Sequence, residues 1–292
     1  MDPCPLIQVD ELQGLLAGSE VCRPVVLDVR YRMGSSNGRR DFEVAHVPGA
    51  TYLDMDTALT KIRADGAGGR HPMPPVETFA TAMRSAGVTT SRPVVAYDDW
   101  SSLPASRVWW MLRHFGFLAV RVLDGGIAAW TASGQPTESG PSTPGAGDFS
   151  PTPPGADAFS RSRTGVGHLL EADAARSYAA RHLLLDARPA DRFRGENETI
   201  DPVAGHIPGT VSAPALANVD QDGRFLPAHE LAARLLRLGA GGATKVGTYC
   251  GSGIQATHLA LALSIAGISD AADVYIGSWS DWITDPARPV EV

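Results

Sequence analysis

The residues with the clearest chemical potential are those of the segment Cys250-Gly-Ser-Gly-Ile-Gln-Ala256, which lies between an apolar stretch and a helical pattern. A strand, a glycine-rich loop and a helix N-terminus bring backbone N–H groups together, and such loops bind anions. A cysteine at the first position of such a loop is expected to be present largely as the nucleophilic thiolate. Gly251 and Gly253 let the backbone curl around the sulfur without a Cβ clash. The alternative interpretation is a buried structural cysteine at a strand end.

Two chemistries use a thiolate in such a loop: phosphoryl transfer and sulfur transfer. Cysteine phosphatases need an arginine six positions after the cysteine, where it holds the phosphoryl oxygens. In this chain that position is Ala256. Phosphoryl transfer is therefore excluded, and sulfur transfer is the chemistry that the loop favours.

The elements that must position this loop alternate between strand and helix. Short apolar runs, partly β-branched, predict buried parallel strands at residues 24–29, 94–97, 182–187 and 245–249. Helical spacing predicts helices at residues 75–86, 107–115, 228–238 and 254–266. Strands that alternate with helices of this length predict an α/β fold, with small parallel sheets covered by helices on both faces.

The chain also repeats itself. Residues 25–30 match residues 183–188, and residues 46–50 match residues 206–210. Three further pairs share one spacing of 152 residues: Tyr97-Asp98 with Tyr249-Cys250, Gly125 with Gly277, and Trp130 with Trp282. This pattern predicts a tandem duplication. We expect domains at residues 1–135 and 161–292, joined by a Pro/Gly-rich linker at residues 136–160.

The two repeats differ at the chemically important position. Asp98 stands in the first repeat where Cys250 stands in the second. A carboxylate cannot carry a sulfane sulfur. The first domain is therefore predicted to be catalytically inactive.

Composition excludes several other classes of protein. The 292 residues include 25 Lys and Arg and 32 Asp and Glu, which give a net charge of −7 and argue against nucleic-acid binding. No apolar stretch approaches the ~18 residues of a membrane span, and the first residues lack the pattern of a signal peptide. We expect a cytoplasmic monomer that binds neither nucleic acid nor membranes.

The cysteine count points to a reducing compartment. Cys4, Cys22 and Cys250 form no C-x-x-C pair, which argues against a disulfide framework and against a zinc site. We expect Cys4 and Cys22 to be inert. Neither a metal nor an organic cofactor is expected, because sulfur itself supplies the redox chemistry.

Several motifs together resemble the two-domain rhodanese family: residues 250–256, 186–188, 206–209, 192–196 and 277–282. The resemblance covers essentially the whole chain apart from the linker, and the motifs stand in family order. It implies two rhodanese-like domains, an inactive N-terminal one and a catalytic C-terminal one. It further implies a sulfurtransferase that carries the transferred sulfur as a persulfide on Cys250.

The residues after the cysteine bear on the sulfur donor. Thiosulfate enzymes of this family carry basic residues there, whereas Cys-Gly-Ser-Gly resembles the 3-mercaptopyruvate branch. Charge stabilisation is then expected from backbone N–H groups and the helix dipole alone, which suits a monoanionic donor. The alternatives are a thiosulfate sulfurtransferase and, in another class, a non-catalytic sulfur- or protein-binding module.

The resemblance also implies roles for particular residues. Ser252 would relay a proton with His71 and Asp56, both expected from the N-terminal domain, and Arg192 would bind the donor carboxylate. The other expected donor-binding residues belong to the cysteine loop: Gly251, Gly253, Ile254 and Gln255. The expected acceptor is cyanide or a thiol, such as a small thiol or a thioredoxin-like protein.

One position departs from the family pattern. Mercaptopyruvate enzymes resemble one another in a second arginine nine positions after the first, and here that position is Asp201. A negative charge there is expected to oppose the donor carboxylate. Three arginines are candidates to compensate: Arg70, Arg194 and Arg224.

Other polar and aromatic residues are assigned to structure. Arg30 and Arg188 each follow an aspartate by two positions and are predicted to pair with it. His46 and His206 recur in both repeats, which favours scaffolding over catalysis. The tryptophans Trp109, Trp110, Trp279 and Trp282 are predicted to pack in cores and between domains. His258 is predicted to be solvated, and the alternative is a position beside the thiolate.

Overall fold

The computed structural model describes residues 4–19, 23–35, 37–64, 66–152 and 167–292, so Cys22 lies outside the described residues. The chain divides into two compact units. Unit 1 comprises Met1–Leu59, Pro74–Thr164 and Gln221–Phe225, and unit 2 comprises Thr60–Met73, Gly165–Asp220 and Leu226–Val292. The units thus differ from the sequence halves in two segments. Residues 60–73 belong to unit 2, and residues 221–225 belong to unit 1.

The Pro/Gly-rich segment is partly described. Up to residue 152 it contacts unit 1: the Pro136 carbonyl accepts a hydrogen bond from Trp130 Nε1, the Asp148 carboxylate accepts one from Thr90 N–H, and Phe149 is buried. Residues 153–166 lie outside the described residues. The predicted linker at 136–160 and the domain boundaries stay predictions.

Unit 1 contains a parallel five-stranded sheet in the order β1-β5-β4-β2-β3. Its strands are β1 (Leu6–Ile7), β2 (Val25–Asp28), β3 (Thr51–Tyr52), β4 (Val94–Tyr97) and β5 (Val120–Leu123). Two of the three inner strands, β2 and β4, are buried along their whole length. Continuous apolar runs of this kind are typical of parallel strands covered on both faces.

Six helices are described in unit 1: α1 (Val9–Ala17), α2 (Gly38–Val44), α3 (Met55–Ala58), α4 (Val76–Ser85), α5 (Leu103–His114) and α6 (Gly126–Ala132). Helix α4 ends just before Gly87, whose φ of +80° closes the helix in the left-handed region. Helix α5 begins four residues before the predicted start, because Pro104 is favoured in a first helical turn.

Unit 2 contains a parallel four-stranded sheet in the order β7-β6-β8-β9. Its strands are β6 (Leu183–Asp186), β7 (Val211–Ser212), β8 (Val246–Tyr249) and β9 (Asp273–Val274). A parallel bridge from Leu169 to Val274 stands where β1 pairs with β5 in unit 1. The predicted α/β duplication is therefore present in the sheets themselves.

The helices of unit 2 follow the same plan. They are α7 (Ala172–Ala179), α8 (Ala190–Phe193), α9 (Ala228–Arg237), α10 (Ile254–Ile265) and α11 (Ser278–Trp282), with a 3₁₀ turn at Ala215–Asn218. The described helices of both units include none that is long and apolar enough to cross a membrane.

A buried arginine ties a strand end to a loop in each unit. Arg30 donates to both carboxylate oxygens of Asp28 and to the Ala45 carbonyl, and the Nη2–Oδ2 distance is 2.7 Å. Arg188 makes the same contacts with Asp186 and Gly205, again with 2.7 Å between Nη2 and Oδ2. The predicted structural role of both arginines is confirmed.

The recurring histidines are also part of the framework. His46 stacks on Phe42 and His206 stacks on Phe193, with ring centroids 3.9 and 3.7 Å apart. Each Nδ1 lies 2.8 Å from the carbonyl oxygen of the phenylalanine on which the ring stacks. Because both units contain this contact, it belongs to the fold rather than to the chemistry of one unit.

The tryptophans named from the sequence, Trp109, Trp110, Trp279 and Trp282, are at most 3% exposed, so their assignment to cores is confirmed. The expectation that His258 is solvated was wrong, because its side chain is fully buried. Helix α10 is buried on every side, because residues 256–263 are all buried. A helix of this kind offers no solvated face to a polar side chain.

Candidate active site

Cys250 directly follows β8 and begins the loop that leads into α10. Its Sγ accepts hydrogen bonds from the N–H groups of Gly253, at 3.0 Å, and Ser252, at 3.4 Å. Gly253 has φ +89°, a left-handed conformation at the N-cap of α10, which glycine adopts without a Cβ clash. The predicted cradle of backbone donors around Cys250 is thus present.

The first turn of α11 holds the cysteine loop in place. Trp279 N–H donates to the Cys250 carbonyl at 2.9 Å, and Ser280 N–H donates to the Gly251 carbonyl at 3.0 Å. Ser278 accepts the Cys250 N–H on its Oγ at 3.0 Å, and this Oγ lies 3.9 Å from Cys250 Sγ. The nucleophile is therefore fixed from both its N–H and its carbonyl.

Ser278 is a functional candidate that the sequence reasoning missed. Its φ is +56°, a region that residues other than glycine rarely adopt. The corresponding residue of unit 1 is Gly126, with φ +57°, and a Cβ there would overlap the Asp98 carbonyl oxygen. The spacing of 152 residues pairs the two positions, so a serine opposite a glycine was the available signal. Strain of this kind at a non-glycine residue is typical of functional sites.

The equivalent loop of unit 1 is filled by its own carboxylate. Asp98 accepts the N–H groups of Trp100 at 2.7 Å, Ser102 at 3.0 Å and Ala105 at 2.8 Å. Burial raises the pKa of Asp98 to about 6, against the opposing effect of these hydrogen bonds. Backbone N–H groups therefore converge on the side chain of this residue in both units, although only Trp100 and Ser252 are donors at equivalent positions.

Arginine side chains flank the cysteine loop. Arg192 binds Glu198 through Nε, at 3.0 Å, and through Nη2, at 2.8 Å, and this Nη2 also lies 2.9 Å from Asp201. Arg70 Nη1 forms an ion pair with the other oxygen of Asp201. Asp201 thus bridges the two arginines.

This arrangement changes two expectations. A Cβ placed on Gly251 would lie 3.0 Å from Arg70 Nη2 and 3.6 Å from Arg192 Nη1, so positive charge reaches the loop. The expectation that the backbone and the helix dipole alone supply charge stabilisation was therefore wrong. Asp201 does not stand as an uncompensated negative charge, because two arginines pair with it.

Among the three arginines considered as compensation, only Arg70 has described contacts beside the cysteine loop. Arg194 pairs with Glu196 in an exposed ion pair, at 2.6 Å. Arg224 belongs to unit 1, where its Nη1 lies 3.4 Å from Gln8 Oε1.

Residues 60–73 bring two of the candidate residues into unit 2. Gly68 N–H donates to Asp281 at 2.8 Å, and Arg70 N–H donates to Ser280 Oγ at 3.0 Å. His71 follows directly and is 4% exposed. It therefore lies in the same compact unit as Cys250, although it comes from the first half of the chain.

The remaining predicted residues are placed as follows. Ser252 is 8% exposed, Ile254 is the first residue of α10, and Gln255 is half-buried beside it. Asp56 lies in unit 1, where Asp54 rather than Asp56 caps α3. Burial, and to a lesser extent Asp54, raises the pKa of Asp56. Every predicted site residue except Asp56 thus belongs to unit 2.

No group of three or more His, Cys, Asp or Glu side chains in the described part of the chain is arranged to hold a metal ion. Cys4 is exposed.

The fold and the loop define a class: tandem parallel α/β proteins in which one repeat presents a cysteine in a backbone N–H cradle. The chain belongs to the rhodanese family, because the model of the rhodanese-like domain matches residues 8–133 and 170–285. This match confirms the family resemblance and the duplication.

Relatives from two bacteria are similar over nearly their whole length. The chain is 37% identical over 286 residues to a Mycobacterium tuberculosis protein assigned as a thiosulfate sulfurtransferase, covering 98% of this chain and 96% of the relative. It is 39% identical over 293 residues to a Pseudomonas aeruginosa protein assigned as a 3-mercaptopyruvate sulfurtransferase, covering 99% of each.

A solved structure is similar as well. The crystal structure of SseA from Escherichia coli, described as a 3-mercaptopyruvate sulfotransferase with the rhodanese fold, matches with a TM-score of 0.78 at 27% identity. The match covers 95% of this chain and 100% of SseA.

Proposed function

We propose that this protein is a sulfurtransferase that moves a sulfur atom from 3-mercaptopyruvate to a thiol or cyanide through a persulfide on Cys250. The observation that carries the proposal is the position of Cys250 Sγ within hydrogen-bond distance of two loop N–H groups. Those groups stabilise negative charge on the thiolate before the reaction and on the persulfide after it. Relatives named for the same class of reaction support the proposal.

The first half-reaction is a displacement at sulfur. The Cys250 thiolate attacks the donor sulfur, an S–S bond forms, and the C–S bond of 3-mercaptopyruvate breaks. The electron pair of that bond remains on the former C3 carbon as the enolate of pyruvate. The enolate takes up the proton that the donor thiol releases, so pyruvate leaves and Cys250 holds one additional sulfur atom.

The second half-reaction regenerates the enzyme. A thiolate acceptor attacks the terminal sulfur of the persulfide, and the S–S bond to Cys250 breaks. The acceptor leaves as a persulfide, or as thiocyanate when it is cyanide, and Cys250 returns to the thiolate. We propose a small thiol or a thioredoxin-like protein as the acceptor, and a monomer acting in the cytoplasm.

Ser252 and His71 are proposed to move the proton in the first half-reaction. Both are buried, and both lie in the unit that contains Cys250, which supports an assignment near the departing pyruvate. The assignment of Asp56 rests on the family resemblance.

The charges around the loop favour a monoanionic donor over thiosulfate. Three arginines, Arg70, Arg188 and Arg192, face three carboxylates, Asp186, Glu198 and Asp201, in contacts of 3.7 Å or less. Because these six charges cancel, the cluster offers no net positive charge, and the cost of bringing in a donor grows with the number of negative charges it carries. We expect kcat/KM for 3-mercaptopyruvate to exceed that for thiosulfate at least ~10-fold, or about 1.4 kcal/mol.

The test is mass spectrometry of the intact chain after incubation with 3-mercaptopyruvate or with thiosulfate. Addition of one sulfur, about 32 Da, at Cys250 is expected, at lower donor concentration for 3-mercaptopyruvate. Cys250→Ser is the control that must stay unmodified, whereas Cys4→Ser must behave as the unmodified sequence. An unchanged Cys250 with both donors would favour the non-catalytic module, and modification by thiosulfate alone would favour the thiosulfate enzyme.

A further inference from the structure

Two guanidinium groups converge on one point beside the nucleophile. The Cβ position of Gly251 lies 3.0 Å from Arg70 Nη2 and 3.6 Å from Arg192 Nη1, and Gly251 is the residue directly after Cys250. Guanidinium groups only donate hydrogen bonds, so the side of Gly251 that a side chain would occupy is bordered by donors from two other segments. A small anion seated there would lie next to the reacting sulfur.

The two arginines differ in which edge of the planar guanidinium group already binds a carboxylate of the protein. Nε and Nη2 form the edge that binds a carboxylate with two parallel hydrogen bonds, and Arg30 uses it for Asp28. Arg192 already uses that edge for Glu198, so it presents only Nη1 to the loop. The bidentate contact that the sequence led us to expect from Arg192 is therefore occupied by a residue of the protein.

Arg70 has the opposite arrangement. Its Nη1 is the nitrogen that pairs with Asp201, and its Nη2 faces Gly251. Its Nε is buried and has no hydrogen-bond partner among the described residues. A buried donor without a partner is costly, and a ligand oxygen would relieve the cost.

We propose that the Nε–Nη2 edge of Arg70 binds the carboxylate of the sulfur donor, with Arg192 Nη1 as a second donor, and that Asp201 is the positioning residue for both. Asp201 lies where the family resemblance led us to expect a second arginine. It holds Arg70 Nη1 and Arg192 Nη2 at once, so it draws the replacement arginine from residues 60–73 to the cysteine loop. This inference rests on the proposed function, because it names the residue that recognises the proposed donor.

The proposal is tested by pyruvate binding, which needs no sulfur transfer. Pyruvate is titrated calorimetrically into the full-length chain and into two variants, Arg70→Lys and Arg194→Met. Lysine keeps the charge opposite Asp201 but loses the planar edge, so the dissociation constant is expected to rise ~10- to 100-fold. Arg194→Met removes a cation that is paired with Glu196 at the surface, and binding should stay within about twofold.

A kinetic measurement separates this proposal from the proposed function. In a single turnover with 3-mercaptopyruvate, Arg70→Lys should raise the half-saturating donor concentration ~10-fold or more, while the limiting rate of persulfide formation stays within about threefold. Unchanged binding in Arg70→Lys, an equal loss in Arg194→Met, or a lower limiting rate with unchanged saturation would each overturn the role of Arg70. If the unmodified chain binds pyruvate through Arg70 yet forms no persulfide, the proposed function fails and the anion site remains.

Discussion

Two substitutions at Ser278 separate the effect of its backbone strain from the effect of its hydrogen bond with Cys250. Its φ of +56° costs a non-glycine residue about 1–2 kcal/mol, and its hydroxyl accepts the buried N–H of Cys250 at 3.0 Å. Ser278→Ala keeps the strain and leaves that N–H without its acceptor, so we expect unit 2 to lose about 1–3 kcal/mol of unfolding free energy. Ser278→Gly loses the same hydrogen bond but relieves the strain. Its unfolding free energy should therefore stay within about 1 kcal/mol of the unmodified chain.

The expected order of stability, Gly above Ala by about 1 kcal/mol, reverses the usual order for an ordered segment. Activity should follow a different order, because both variants lose the hydroxyl that fixes the Cys250 backbone. We expect persulfide formation from 3-mercaptopyruvate to slow at least ~10-fold in both, as a small displacement of a nucleophile is enough for such a loss. Urea denaturation followed by tryptophan fluorescence and single-turnover mass spectrometry measure the two quantities. A glycine variant with undiminished rate, or an alanine variant more stable than the glycine variant, would refute the reasoning.

Three further predictions concern other parts of the molecule. Because the pKa of Asp98 is about 6 against an ordinary 3.8, the folded chain binds that proton more tightly, and stability is lost as the pH rises from about 4 to 6. In urea titrations, the unfolding free energy of the unmodified chain relative to Asp98→Asn should therefore fall by up to about 3 kcal/mol from pH 4 to pH 7, whereas a constant difference would contradict the assignment. Ser252→Lys should shift the ratio of kcat/KM toward thiosulfate by ~10-fold or more, and an unchanged ratio would show that the loop does not set donor choice. A chain beginning at residue 161 lacks Arg70 and His71, so it should turn over poorly even if circular dichroism shows it folded; full activity would remove both from the site.

The sequence predicted what depends on local pattern and on the repeat. Strands, helices and the Cys250 loop follow from short-range apolar spacing and from glycine positions, so they could be placed within a few residues. The pairing of Asp98 with Cys250 followed from one constant spacing. The family match then confirmed both domains.

The contacts of Arg70 and Arg192 were not predictable, because they depend on which segments meet in the fold. Nothing local shows that residues 60–73 pack in unit 2, or that Glu198 occupies the binding edge of Arg192. The sequence named Arg70 as one of three arginines that could compensate Asp201, but it could not select among them, since Arg70 lies more than a hundred residues away in the chain. His258 was misjudged for the same reason: the burial of a helix is decided by the elements around it.

The carboxylate that fills the loop of unit 1 bears on how a duplicated domain can lose its chemistry during evolution. Three N–H groups converge on Asp98, and each would cost about 1–3 kcal/mol if it were buried without an acceptor. An apolar residue at such a position would leave all of these buried N–H groups without an acceptor, whereas aspartate supplies two acceptor oxygens. Even where catalysis is no longer required, the N–H groups of the loop still require a hydrogen-bond acceptor, and this limits which residues can replace the nucleophile. In both repeats the side chain at this position accepts hydrogen bonds from backbone N–H groups. Only the cysteine is also a nucleophile for sulfur.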